Sequence, residues 1–126
     1  MKNITLNIIG QRILADILME MKDIIKMDVL FFENLEHYLK NIKKNSENDI
    51  IITHVSNSKL VEQHIPNNVS PVFYLTNKKN NINVKTKLKK YELVYCPFNF
   101  KNFIEKINLI YIKYKFANNS KINLSN

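Results

Sequence analysis

The chain of 126 residues has very little glycine and cysteine, and these shortages exclude several kinds of protein. Gly10 is the only glycine, whereas a phosphate-binding loop or a dinucleotide-binding fingerprint needs several glycines at fixed spacing. Cys96 is the only cysteine, so no internal disulfide can form, which is typical of a reducing cytoplasm. Serine-elbow and zinc-ligand spacings are also missing. We therefore expect a protein that is not an enzyme and that holds no metal and no cofactor.

Long apolar runs are missing too. No run approaches the roughly 18–20 apolar residues that a membrane-spanning helix needs. The short N-terminal run from Ile4 to Ile9 lacks a small-residue cleavage site, so it predicts a strand rather than a signal peptide. Apolar residues make up 45% of the chain, which is enough for one folded domain of this length. We expect a cytoplasmic protein without a membrane segment.

Arginine is nearly absent, although the chain has a net charge of +8. Arg12 is the only arginine among nineteen basic residues, and asparagine and isoleucine are as abundant as lysine, a combination typical of AT-rich codon usage. Proteins that bind nucleic acids favour arginine, whose planar group grips phosphate and guanine edges. We interpret most of the charge as a solvated lysine-rich surface, and nucleic-acid binding through that surface stays an alternative.

Strand-like and helix-like segments alternate along the chain. Short apolar runs predict five strands, and apolar residues at helical spacing predict helices between them. Such alternation predicts an α/β domain with a parallel sheet and helices on both faces. We expect this domain to span residues 1–117 and a polar C-terminal tail to span residues 118–126. The predicted strands are residues 4–9, 27–32, 49–54, 71–76 and 92–95, and the predicted helices are residues 13–25, 34–42, 58–64 and 100–114, with residues 77–90 either a frayed helix or a loop.

One segment is the most specific in the chain: Tyr91-Glu-Leu-Val-Tyr-Cys-Pro-Phe98, followed by an apolar-striped helix from Phe100. Together with the segments from Asp49 to His54 and from Pro71 to Thr76, it resembles the receiver domains of bacterial two-component response regulators. The resemblance spans residues 3–116 and implies a flavodoxin-like (βα)5 fold. It also implies a cis bond between Cys96 and Pro97. The third and fourth helices should be short, because the connections after the third and fourth strands are short.

The resemblance also identifies a degenerate phosphorylation site. In receivers, an acidic pair after the first strand binds magnesium, an aspartate ends the third strand and accepts the phosphoryl group, a threonine or serine ends the fourth, and a lysine ends the fifth. Only the fourth position is retained here, as Thr76. The matching positions are Gly10 and Gln11 (with Ile9 if the alignment shifts by one), His54, Thr76 and Cys96. Without carboxylates for the metal or an aspartate nucleophile, phosphorylation of this site has no chemical basis.

His54 and Cys96 have alternative interpretations. His54 could accept a phosphoryl group, bind a metal or respond to pH, but a histidine that fills the old pocket by hydrogen bonding is the simpler interpretation. Cys96 could be a redox sensor or, like His54, the nucleophile of an unrecognised enzyme. A half-buried structural thiol is the simpler interpretation, because a reactive thiol needs exposure and a lowered pKa.

These observations predict a phosphorylation-independent protein-interaction module in bacterial signal transduction or transcription regulation. In receivers, partners and dimer mates bind the face made by the helix before the fifth strand, the fifth strand and the last helix. Interleaved tyrosine and lysine on that face suit an acidic protein partner, and a homodimer is a further expectation. The residues predicted for this face are Lys85, Lys87, Lys89, Lys90, Tyr95, Lys106, Tyr111, Lys113 and Tyr114.

Overall fold

Strands and helices alternate in the computed structural model, which describes residues 4–42, 48–77 and 88–124, with side chains described as far as Tyr114. A 3-10 turn at Val55–Asn57 joins the third strand to the helix that follows it. The elements are β1 (Thr5–Ile9), α1 (Arg12–Glu20), α2 (Lys22–Ile25), β2 (Asp28–Phe32), α3 (Leu35–Asn41), β3 (Asp49–His54), α4 (Ser58–His64), β4 (Val72–Asn77), β5 (Tyr91–Cys96) and α5 (Phe100–Leu124).

The five strands form one sheet in the order β2-β1-β3-β4-β5. Every neighbouring pair is parallel, and the register places Leu6 of β1 beside Ile50 of β3. This order is that of the flavodoxin-like doubly wound fold, in which ligand sites lie beyond the carboxyl ends of the strands. The predicted five-stranded parallel sheet with helices on both faces is therefore confirmed.

Two apolar layers hold the helices on the sheet. Alternate side chains of a strand point to opposite faces, so Ile50 and Ile52 of β3 enter the layer under α1 and α5, and Ile51 enters the layer under α3 and α4. All three are completely buried. From α5, Phe103, Ile107 and other residues of its apolar stripe close the first layer. Burial on both faces explains why β3 is an almost continuous apolar run.

Asparagine side chains cap the N-termini of two helices. The Asn34 side-chain oxygen accepts a hydrogen bond of 2.7 Å from the His37 amide at the start of α3. The Asn99 side-chain oxygen accepts one of 2.8 Å from the Lys101 amide at the start of α5. Each cap satisfies an amide that has no partner inside its own helix.

The structure differs from the sequence prediction at both ends of the chain. The predicted helix over residues 13–25 is interrupted at Met21, where neither glycine nor proline marks a break. The predicted polar tail from Asn118 is helical as far as Leu124. Asparagine and serine are poor helix formers but do not stop a helix, lysine is a good one, and neither glycine nor proline follows Pro97.

The two predicted short helices have different outcomes. The helix between β3 and β4 is α4, which has only seven residues. The one between β4 and β5 falls in residues 78–87, outside the described residues. The Cys96–Pro97 bond is cis, as the resemblance implies. Among the described residues, no helix combines the length and the apolar character that crossing a membrane requires.

Replacing Ile107 by alanine should lower the free energy of unfolding by about 2–5 kcal/mol, because it removes buried methyl groups and leaves a cavity under α5. Urea unfolding followed by circular dichroism measures the change. Ile24→Ala is the matched control, since Ile24 is 79% exposed on α2 and should change stability by less than about 0.5 kcal/mol. Equal losses in the two variants would contradict the assigned core.

Candidate functional site

The carboxyl ends of the parallel strands bring the predicted site residues to one edge of the sheet. Gly10 follows β1, and His54 is the last residue of β3. Thr76 lies beside Tyr95 in the register of β4 and β5, and Cys96 lies beside the last residue of β4. The positions predicted to match the phosphorylation site of receivers, including Gln11 at the start of α1, thus lie at the carboxyl edge of the sheet, where ligand sites of this fold occur.

Gly10 has a structural reason to be glycine. Its φ angle is +76°, in the left-handed region that residues with a Cβ rarely adopt. Its amide donates a hydrogen bond of 2.8 Å to the Phe32 carbonyl at the end of β2. An added Cβ would meet only ordinary contact, 3.7 Å from the Glu33 carbonyl oxygen. The backbone angle, rather than lack of space, therefore makes this position unfavourable for an acidic side chain.

His54 is exposed, and its imidazole caps the turn that follows β3. Its Nδ1 accepts a hydrogen bond of 3.1 Å from the Ser56 amide and lies 2.9 Å from the Ser56 hydroxyl oxygen. Because an amide donates to Nδ1, that nitrogen carries no proton and the neutral ring holds its hydrogen on Nε2. The side chain at the position of the phosphoryl acceptor therefore has one ring nitrogen committed to local structure.

Thr76 and Cys96 differ in exposure. Thr76 is buried near the end of β4, whereas Cys96 is partly exposed and packs against the layer under α1 and α5. Burial raises the pKa of the Cys96 thiol above its usual value, because the thiolate would lose hydration. A thiol with a raised pKa is a weak nucleophile near neutral pH.

Aromatic rings fill the space beyond Cys96. Phe98 follows the cis proline, and its ring centre lies 4.6 Å from that of Phe103 and 5.5 Å from that of Phe100. Phe103 in turn makes an edge-on contact with Phe73 of β4, at 6.3 Å. Apolar packing thus supports the end of β5, where receivers have a charged lysine.

The donor set at this edge does not suit magnesium. The matching positions offer an amide, an imidazole, a hydroxyl and a thiol, whereas magnesium prefers carboxylate oxygens. Across the described residues, histidine, cysteine and acidic side chains nowhere gather in threes as a metal site would require. A bound magnesium ion would therefore have few suitable ligands among the matching positions.

A second candidate site is the exposed side of β5 together with the adjoining side of α5, here called the β5–α5 face. Strand β5 is an edge of the sheet. From α5, the Lys106 ammonium donates a hydrogen bond of 2.9 Å to the Leu93 carbonyl and lies 3.9 Å from a Glu92 carboxylate oxygen. Such a lysine occupies a carbonyl of the strand edge, which discourages pairing with a further strand.

Two more lysines of this face meet at one tyrosine ring. The Lys90 and Lys113 ammonium nitrogens lie 5.4 and 5.6 Å from the centre of the Tyr114 ring. Burial, with a smaller contribution from the negative charge of Glu92, raises the pKa of the Tyr114 hydroxyl. Tyr114 therefore stays neutral at physiological pH, and both ammonium groups lie within cation–π distance of its ring.

The other residues predicted for this face do not all lie near the Tyr114 ring. Lys89 is exposed just before β5, and Tyr95 is 46% exposed on the strand. Tyr111 instead packs against the core under α5, and its hydroxyl donates a hydrogen bond of 2.6 Å to the Asn48 side chain. Lys85 and Lys87 lie outside the described residues.

The charge of the chain is strongly asymmetric, a signal that total composition hides. Residues 1–77 contain eight basic and nine acidic side chains, a net charge of −1. Residues 78–126 contain eleven basic and only two acidic side chains, a net charge of +9. Codon usage alone would spread lysine along the whole chain. Of the lysines in this part, the structure describes the side chains of five, and all of them lie just before β5 or on α5: Lys89, Lys90, Lys101, Lys106 and Lys113.

Comparison with known proteins supports the fold alone. No family model matches the chain, and no curated protein matches it. Five solved chains are similar in structure. One is the receiver domain of the Francisella response regulator 1452, with 17% sequence identity, coverage of 88% of this chain and 98% of that one, and a TM-score of 0.65. The chain therefore has a receiver-like fold.

Replacing His54 by alanine should lower the free energy of unfolding by about 0.5–2 kcal/mol, because the Ser56 amide loses its acceptor. His54→Asn should keep most of that stability, since asparagine is a strong cap whose side-chain oxygen can accept the same bond. Chemical unfolding of the three proteins measures the difference. If asparagine is as harmful as alanine, capping is not what His54 contributes.

Cys96 should react slowly with iodoacetamide. Below its raised pKa, the folded protein holds less thiolate than the unfolded chain at the same pH. We expect alkylation at pH 8 to be slower in the native protein than in urea, and the native rate to rise at higher pH than the unfolded rate. Mass spectrometry follows this single thiol directly. Faster alkylation of the native protein would instead support a redox-sensing thiol.

Proposed function

We propose that this chain is a receiver-like interaction module of bacterial signal transduction or transcription regulation that works without phosphorylation. Its partner is a protein with an acidic surface that binds the β5–α5 face. The observation that carries the proposal is the segregation of charge, since residues 78–126 hold a net charge of +9 and the remainder is almost neutral. A basic face on a receiver-like fold suits an acidic partner by electrostatic complementarity.

Loss of phosphorylation chemistry is the first part of the proposal. Transfer of a phosphoryl group depends on a metal that neutralises charge and on a positioned nucleophile. Gly10 is favoured by a positive backbone angle, and His54 has Nδ1 engaged by the Ser56 amide. The end of β5 is supported by aromatic packing around Phe98. These features support a pocket whose positions serve the fold, and we propose that the chain is not an enzyme.

The chemistry of the β5–α5 face supports protein binding. Lys90 and Lys113 meet at Tyr114, so an approaching carboxylate would find two ammonium groups beside an aromatic surface. Tyr95 adds an exposed ring on the strand. Tyrosine is enriched in protein interfaces because it offers a large apolar area together with a hydrogen-bonding group. A homodimer is part of the proposal as well, and its interface is argued separately below.

Reversing two charges on this face should weaken partner binding by at least about tenfold, or about 1.4 kcal/mol. The variant is Lys89→Glu with Lys90→Glu, and the matched control is Lys22→Glu with Lys59→Glu, which makes the same charge change on α2 and α4. Proteins captured from a lysate treated with nuclease identify the partner, and titration of that purified partner measures the affinity. Equal affinities for the two variants would contradict the proposed face.

Nucleic-acid binding is the second candidate function, and the same charge asymmetry favours it. It predicts that DNA or RNA binding weakens steeply as salt rises, because phosphate contacts release counterions. Fluorescence anisotropy with mixed-sequence probes between 50 and 200 mM salt would show this as a loss of roughly a thousandfold for six or more phosphate contacts. Nuclease treatment that removes every captured protein, together with such a slope, would replace the first proposal by this one.

A further inference from the structure

Helix α5 has a second apolar surface that faces away from the sheet. Phe103, Ile107 and Ile110 are buried against the domain, whereas Leu109 is 67% exposed and Ile112 is 47% exposed. With 3.6 residues per turn, Leu109 lies on nearly the opposite side of the helix from Ile107. A surface helix of a monomer is usually polar on that side, so two large exposed apolar residues one turn apart need an explanation.

Charged residues flank Leu109 in a specific pattern. Glu105 precedes it by four residues and Lys113 follows it by four. Residues four apart are neighbours on a helix surface, so these three side chains form one line along the outside of α5. Both charged residues are exposed, and Glu105 makes no ion pair with any described residue. The line is negative at one end, apolar in the middle and positive at the other.

We propose that a second copy of this chain docks on this line, with the two α5 helices antiparallel. A two-fold axis at Leu109 places the two Leu109 side chains against each other. It also brings Glu105 of each copy beside Lys113 of the other, so the same attraction forms twice. A parallel pair would place like charges together. Ile112, one turn further along, widens the apolar contact beside Leu109.

This surface differs from the one proposed for the partner. The β5–α5 face is the side of α5 that carries Lys106, which reaches the Leu93 carbonyl, whereas Leu109 lies on the outward side of the helix. Lys113 lies at the border and belongs to both surfaces. The inference rests on the homodimer of the proposed function, but its tests use the isolated protein, so its failure can be told from a failure of partner binding. One helix pair buries an area at the low end for protein interfaces, so we expect a weak dimer whose population rises with protein concentration.

Sedimentation velocity of the purified full chain, from a few micromolar to about a millimolar, tests the dimer. We expect a concentration-dependent dimer for the natural sequence. Leu109→Ser should weaken it by at least about tenfold, because it replaces the central contact by a polar one. Leu60→Ser is the matched control, since Leu60 is an exposed leucine of α4, and it should leave the dimer unchanged. A monomer at every concentration would overturn the proposal.

Charge reversal tests the antiparallel arrangement itself. Lys113→Glu sets two pairs of carboxylates against each other, and Glu105→Lys does the same with two pairs of ammonium groups, so each single variant should be monomeric. The double variant Glu105→Lys with Lys113→Glu should dimerise within about threefold of the natural sequence, because both attractions return with opposite sign. An equimolar mixture of the two single variants should form a heterodimer that native mass spectrometry distinguishes from either homodimer.

Other outcomes of these experiments test the antiparallel arrangement and the position of the dimer interface. If either single reversal dimerises as the natural chain does, or if neither the double variant nor the mixture recovers the dimer, the arrangement is wrong. A dimer that survives Leu109→Ser but is lost in Lys89→Glu with Lys90→Glu would lie on the β5–α5 face, which also overturns the inference. If the latter variant dimerises normally while it fails to bind the partner, the dimer and the partner interface are separate.

Discussion

Burial of β3 on both faces of the sheet is the constraint on which the rest of the molecule depends. Ile50, Ile51 and Ile52 are inaccessible to water, so two helical layers must cover the strand. A strand buried on both faces is typical of the centre of a parallel sheet, whose crossover helices cover both faces. The carboxyl ends of β1, β3, β4 and β5 consequently meet at one edge, where the candidate pocket lies.

The side chains at that edge stabilise local structure. Gly10 provides a turn, His54 caps the backbone after β3, and Cys96 leads into a cluster of aromatic rings. Each of these roles is an ordinary way of ending a strand in a doubly wound fold. The exposed side chains that we propose for binding lie elsewhere, on the β5–α5 face and on the outward side of α5. This distribution is the reason that the proposed interactions are assigned to β5 and α5 and not to the carboxyl edge of the sheet.

Much of the fold follows from the sequence because local patterns agree with the tertiary structure. The strand from Asp49 to His54 and the helix from Ser58 to His64 were predicted to the residue, since a continuous apolar run marks the strand and Pro66 follows the helix. The interruption at Met21 and the continuation of α5 to Leu124 were not. Neither has a local signal in glycine or proline, and helix ends without such signals depend on contacts made across the fold.

The candidate sites divide in the same way. The sequence by itself determined which residue types stand at the ends of the predicted strands, and none of those at the matching positions is a carboxylate. It also determined the difference in net charge between residues 1–77 and residues 78–126. Only the tertiary structure decided that the half-buried Tyr111 donates a hydrogen bond to Asn48 while Lys90 and Lys113 lie near the Tyr114 ring. A tyrosine on an amphipathic helix can face the core or the solvent, and the choice depends on polar partners that lie far away along the chain.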